Sequence, residues 1–179
     1  TSEVLPTVLS ALTAAGDSAL HLAAHAGSAL CVRLLLAAGI DASLINAQGL
    51  DAATLCVSAA CGVQNDPSIP VSDEMTSRYE EILTRLAAST DDTTKWCVMH
   101  GHLLRTIAGA PPSVPPRRLL ALASCLRRCG IDEAAELGLQ PNERPSAIAS
   151  RCGRPALAAL LRAPTPPPSC LLCVRRPLE

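Results

Sequence analysis

The sequence predicts an all-α solenoid of about four stacked helix–turn–helix repeats with insertions. Three observations carry this. The segment GDSALHLAAHAG, opening at Gly16, returns as GLDAATLCVSAA at Gly49, 33 residues on. A fixed period of that length marks a repeat array. Alanine supplies thirty of the 179 residues, whereas the aromatic residues are Tyr79 and Trp96 alone, with no Phe. Helices with small side chains pack closely, while a sandwich core or a base-stacking platform lacks its aromatic material. Hydrophobic residues make up 49% and charged residues 17%, which places the chain among folded rather than disordered sequences.

Residues 1–15 read as one N-terminal capping helix. The first repeat, 16–48, opens with a helix from Ala19 to Ala26 that Gly27 breaks. A second helix runs from Leu30 to Ala38, with Leu30, Leu34 and Leu35 spaced to share its buried face. Gly39 ends it, and an extended return closes on Asn46-Ala47-Gln48-Gly49, a composition suited to a tight turn.

Gly16, Ser18, Ala19, Leu20, His21, Ala23, Ala24, Gly27, Leu34, Leu35, Gly39, Ile40 and Asp41 follow one another in an order that resembles the ankyrin repeat. Ser18 and Ala19 stand where that family usually has threonine and proline. The resemblance is specific over residues 16–50 and looser beyond. It implies stacked helix pairs with a concave face, a structural role for His21 in bridging turn backbones of adjacent repeats, and no catalysis.

The later repeats are irregular. The second, 49–91, keeps a small-residue helix from Ala52 to Ala60 but has Thr54 at the histidine position. An insertion near 63–75 precedes a helix, SRYEEILTRLAAS, that Thr76 or Ser77 would cap. The third, 92–142, shows a helix–glycine–helix pattern in WCVMHGHLLRTI, where Gly101-His102 resembles the family's glycine–histidine step. A proline-rich insertion follows near 109–116, then a strong helix ending in Cys129-Gly130-Ile131-Asp132. The fourth, 143–162, matches through Pro145, Ala149, Gly153, Leu157, Leu160 and Leu161. Residues 163–179 form a proline-rich tail with no element of its own.

The resemblance places partner contacts at turn tips and first-helix ends: Ala15, Asp17, His25 and Ala26 in repeat one, Gln48, Leu50, Ser58 and Ala59 in repeat two, and Glu143 and Arg151 in repeat four. Such residues form a surface, not a pocket.

Net charge is −1, but unevenly divided. Residues 1–104 carry four basic and eleven acidic side chains, a balance of −7; residues 105–179 carry eleven basic and five acidic ones, a balance of +6. Arg117, Arg118, Arg127, Arg128, Arg154, Arg175 and Arg176 make a candidate basic patch for RNA phosphates or an acidic protein tail. Many of the nine cysteines sit inside apolar helical runs, as buried thiols of a reducing, intracellular compartment do. No signal-peptide pattern opens the sequence, and no apolar run is long enough to span a membrane.

Cys170 and Cys173, with Cys125 and Cys129 at i, i+4, and the Cys97-His100-His102 group contain metal-ligand residue types. Gly101 and the repeat register explain the Cys97-His100-His102 segment without metal, and Pro166 to Pro168 would have to steer the tail back for a four-thiolate site, so no metal and no cofactor are expected. No phosphate-cradling glycine loop or nucleophile elbow occurs, so no catalytic residue is assigned. The reading is a non-enzymatic protein–protein interaction module, a structural or adaptor subunit of a larger intracellular assembly. The alternative is an RNA-contacting subunit of a ribonucleoprotein.

Overall fold

The computed structural model describes residues 11–62, 72–90, 92–133 and 139–164. Among them it contains helices and no strands, with isolated β-bridges at two hairpins. The helices are α1 (Ala19–His25), α2 (Ala29–Ala37), α3 (Ala52–Ala60), α4 (Asp73–Ala88), α5 (Thr93–His100), α6 (His102–Ala108), α7 (Pro116–Arg128), α8 (Pro145–Arg151) and α9 (Pro155–Arg162). Four helix pairs stack in order: α1/α2, α3/α4, α6/α7 and α8/α9. First helices pack on first helices, α1 on α3, α3 on α6 and α6 on α8. Second helices do the same, α2 on α4, α4 on α7 and α7 on α9. Each pair buries the next pair's apolar side, the economy of a solenoid. The core runs the length of the stack, from Leu20 and Val32 through Ile82, Leu83, Leu104 and Leu122 to Leu157 and Leu161.

Local chemistry sets the helix ends. Asp51 caps α3 by accepting the Thr54 amide at 2.8 Å. Proline at the first position of α7, α8 and α9 starts each with φ already fixed. The second helices α2 and α7 end alike: the amides of Ile40 and Ile131 reach back to the carbonyls of Leu35 and Leu126 at 3.2 and 3.1 Å. Gly27 has φ +67°, and a Cβ there would meet the Met75 methyl at 2.9 Å and the Tyr79 ring at 3.2 Å. The turn between α1 and α2 therefore lets α4 approach closely only because it is glycine.

Several expectations are corrected. Residues 11–15 are not the end of a helix. They form a hairpin arm, bridged Leu12 to Ser18 just as Ile45 is bridged to Asp51 33 residues later. The left-handed Gly16 (φ +76°) and the Thr13–Asp17 backbone bond close that turn. The rest of the proposed capping helix, residues 1–10, lies outside the described residues.

On α2 the buried face is Ala29 and Val32, with Leu35 and Leu36 half-buried, whereas Leu30 and Leu34 are 57% and 58% exposed. The expected shared face is wrong for Leu30 and Leu34, because apolar residues lie on more than one side of this helix and only one side meets α4.

Helix α4 starts at Asp73, capped by the Ser72 hydroxyl accepting the Met75 amide. Thr76 and Ser77 lie within it, donating to carbonyls one turn back. The insertion expected over 63–75 thus shortens at its end, and its residues 63–71 lie outside the described residues. Gly101 separates α5 from α6, as the helix–glycine–helix pattern expects, with φ −53° and ψ −37°. The first helix of the third pair is α6, and α5 is an extra helix in the connection that carries a hairpin in the first two repeats.

Candidate protein-binding surface

The first two tips are joined residue by residue. The Ala47 amide donates to the Ala15 carbonyl at 3.1 Å, and Asn46 Nδ2 donates to Asp17 Oδ1 at 2.8 Å. Asn46 Oδ1 accepts the amides of Gln48 and Leu50, both at 3.0 Å, which shapes its own turn. A Cβ at Gly16 would lie 2.8 Å from the Ala47 nitrogen, so glycine is what admits the neighbouring tip.

His21 supports both turns from below. Its Nδ1 accepts the Ser18 amide at 3.2 Å and lies 2.8 Å from the Ser18 hydroxyl. The proton therefore sits on Nε2, which donates to the Leu50 carbonyl at 3.1 Å. One buried ring thus fastens the start of α1 to the loop before α3.

This ladder brings Ala15, Asp17, Gln48 and Leu50 together. Ala15 and Gln48 are exposed, while Asp17 and Leu50 are half-buried. Behind them, Ala26 is exposed at the end of α1, and Ser58 is half-exposed on α3. His25 is half-buried; its carbonyl accepts the Tyr79 hydroxyl at 3.4 Å, and its Nε2 has no partner among the described residues. Ala59 has no accessible surface. It belongs to the inside of the stack, so its methyl reaches no partner; the repeat register pointed to the right helix turn but not to its inner side. Glu143 and Arg151 are exposed at the other end of the array.

The candidate basic patch is divided by the fold. Arg117 is exposed, 3.3 Å from Asp73 Oδ2, and Arg128 is exposed, 3.8 Å from Glu80 Oε1. Arg118 and Arg127 are buried. Arg118 Nε donates to the Thr76 hydroxyl at 3.3 Å. Arg127 donates to the carbonyls of Leu160, Leu161 and Ala163 at the end of α9. Arg154 is half-buried and donates to the carbonyls of Ala108, Ala110 and Pro111 at 2.8, 2.6 and 3.1 Å. Cationic side chains at helix C-terminal carbonyls are favourable twice over, by hydrogen bond and by dipole. These three arginines are thereby withdrawn from phosphate contact. Arg175 and Arg176 lie outside the described residues, as do Cys170 and Cys173.

The Cys97-His100-His102 group does not converge. Cys97 donates to the Gly130 carbonyl at 3.1 Å, and His102 Nδ1 lies 3.1 Å from the Met99 carbonyl. His100 is buried between two acceptors, Asp51 Oδ2 at 2.5 Å and the Trp96 carbonyl at 2.9 Å. A ring with a proton on each nitrogen satisfies both. The Trp96 ring lies against it with centroids 3.8 Å apart. Burial alone would raise the Asp51 carboxyl, but the bond and charge of His100 and the bonds from Thr54 outweigh it and hold the pKa at about 2. Sequence reading missed this pair; the available signal was an acidic residue at the cap position that Ser18 occupies one repeat earlier.

Cys129 is pushed well up, first by its hydrogen bond with Cys125 and then by burial. It is a protonated core thiol rather than a thiolate ligand. Among the described residues no cluster of three or more His, Cys, Asp or Glu side chains could hold a metal ion.

Residues 15–49 match the family model of the ankyrin repeat. The match covers the two tips and the helix pair between them, the segment with the most regular geometry. No curated protein and no solved structure matches the chain. Ankyrin repeats generally mediate protein–protein interaction. Among the described residues no helix is long and apolar enough to cross a membrane.

Proposed function

We propose that the chain is a structural or adaptor subunit that holds a protein partner on the tip face of its first two repeats. One observation carries this reading. Backbone and side-chain bonds lock the tips at Ala15 and Gln48 side by side, so their exposed groups are presented with little conformational entropy left to lose. Two exposed tips held side by side suit a protein segment. The buried free thiols Cys56, Cys61, Cys125 and Cys129 support a reducing, intracellular setting. The internal use of Arg118, Arg127 and Arg154 weighs against the ribonucleoprotein alternative.

Site-specific photocrosslinking in native extract tests this. A crosslinker at Gln48 is expected to capture one protein species, whereas one at Arg33 on α2 captures none. The yield should hold between about 50 and about 200 mM salt, because binding through several phosphates would fall by orders of magnitude over that range. Capture of RNA, or equal capture from Arg33, would contradict the reading.

A further inference from the structure

A notch opens between α7 and the start of α9, the second helices of the last two pairs. Leu119 of α7 and Leu157 of α9, 0% and 2% exposed, form its floor, and Leu120 a half-buried wall. The exposed Pro116, Gly153 and Pro155 form its rim. The Arg154 stem also lines it, but the guanidinium is taken up by the carbonyls of Ala108, Ala110 and Pro111. The cavity measures about 160 Å³. That is well below the roughly 300 Å³ at which cofactor and substrate pockets begin. It is close to the size, about 150 Å³, of an apolar cavity that takes one benzene-sized group. The notch therefore has room for one aliphatic or aromatic side chain.

The charge around this notch is one-sided. The segments that line it, 109–131 and 144–164, carry eight arginines and no Asp or Glu. Arg118, Arg127 and Arg154 are turned to internal partners, whereas Arg117 and Arg151 are exposed, the first beside Pro116 and the second two residues before Gly153. Arg117 meets Asp73 of α4 at 3.3 Å with the two side chains 77% and 74% exposed, a pair weak enough to yield to a second carboxylate. Arg151 has no carboxylate partner among the described residues. We infer that the notch docks an acidic segment of a partner protein, with one leucine or phenylalanine side chain seated in the cavity and flanking carboxylates on Arg117 and Arg151. Size selects the anchor, and charge selects what surrounds it. The chain's own residues 165–179 lack that charge: they carry Arg175 and Arg176 against one carboxylate side chain, Glu179. RNA has the charge, but no aromatic residue lines the notch to stack a base.

The test is fluorescence anisotropy of the full chain, under reducing conditions, with a labelled peptide of one central leucine flanked on each side by glutamates. Saturable binding is expected below about 1 mM. Replacing the peptide's leucine by serine should weaken binding at least about tenfold, as the loss of one buried side chain of that size requires. Ala156→Phe, which plugs the notch from an exposed position of its lining, should do the same. Arg117→Glu with Arg151→Glu should weaken binding by a similar factor with an unchanged far-UV spectrum, and a lysine-flanked leucine peptide should not bind. The peptide controls decide the matter if a variant fails to fold. No binding at about 1 mM, equal binding of the serine or lysine peptide, or displacement of the glutamate peptide by an equimolar single-stranded RNA oligonucleotide would overturn the inference. The notch shares no residue with the tip face of the first two repeats, so either result leaves that reading standing.

Discussion

The stack ties its neighbouring loops together by different means at its two ends. Between the first and second repeats the tie is a ladder: the Ala47 amide to the Ala15 carbonyl, Asn46 to Asp17, and His21 to the Leu50 carbonyl. Between the third and fourth pairs it is a set of arginine clamps. Arg154 gathers the carbonyls of the loop after α6, and Arg127 gathers those at the end of α9. The ladder needs hairpins in a fixed 33-residue register, and the register is lost where α5 and the proline-rich loop intervene. A long cation that can search for carbonyls tolerates irregular loops that a backbone ladder cannot. His100 stands between these solutions. It is a histidine like His21, but it grips the capping carboxylate of Asp51 from an inserted helix.

The comparison is broken most severely by removing a clamp. Arg127→Ala should destabilise the chain by about 3 kcal/mol, because charge-assisted bonds are lost and buried carbonyls are left unpaired. Urea unfolding measures it. Asp51→Asn should cost about 2 kcal/mol near neutral pH, the equivalent of lowering a carboxyl pKa from 3.8 to about 2. The sign follows from that depression. The contribution is complete above the unfolded value and disappears as pH falls from about 4 toward 2. Wild-type and variant stabilities should therefore converge in acid, and a constant gap would refute the ion pair. His21→Ala should cost about 1.5 kcal/mol, read as a lowered urea midpoint with unchanged slope. Arg117→Ala should change stability by less than about 0.5 kcal/mol, since its pair with Asp73 is fully in solvent.

What the sequence made legible follows the same division. The 33-residue period located α1, α2 and α3 within one residue at each end, and the resemblance anticipated the bridging role of His21. Helix α7 was legible as a strong helix ending at Cys129-Gly130, and α8 and α9 through the match of their segment to the repeat. The helices on either side of Gly101 were legible too, but not that the second of them, α6, opens the third pair while α5 is an extra helix. The exposed faces of Leu30 and Leu34 were also hidden, since spacing cannot say which side of an apolar helix meets a neighbour. Of the candidate tip residues the ladder brings Ala15, Asp17, Gln48 and Leu50 together, while Ala59 is turned inward. The arginines were the hardest to read: a run of cations looks the same whether it faces phosphate or caps a carbonyl, and only the packing of α7 on α9 decides.

Native-state hydrogen exchange on two variants tests the central claim, that each end is held by its own kind of tie. His21→Ala should lose amide protection in α1 and the two tips while α8 and α9 keep theirs, and Arg127→Ala should do the reverse. Loss at the same set of amides in both variants, or no local loss in either, would contradict it.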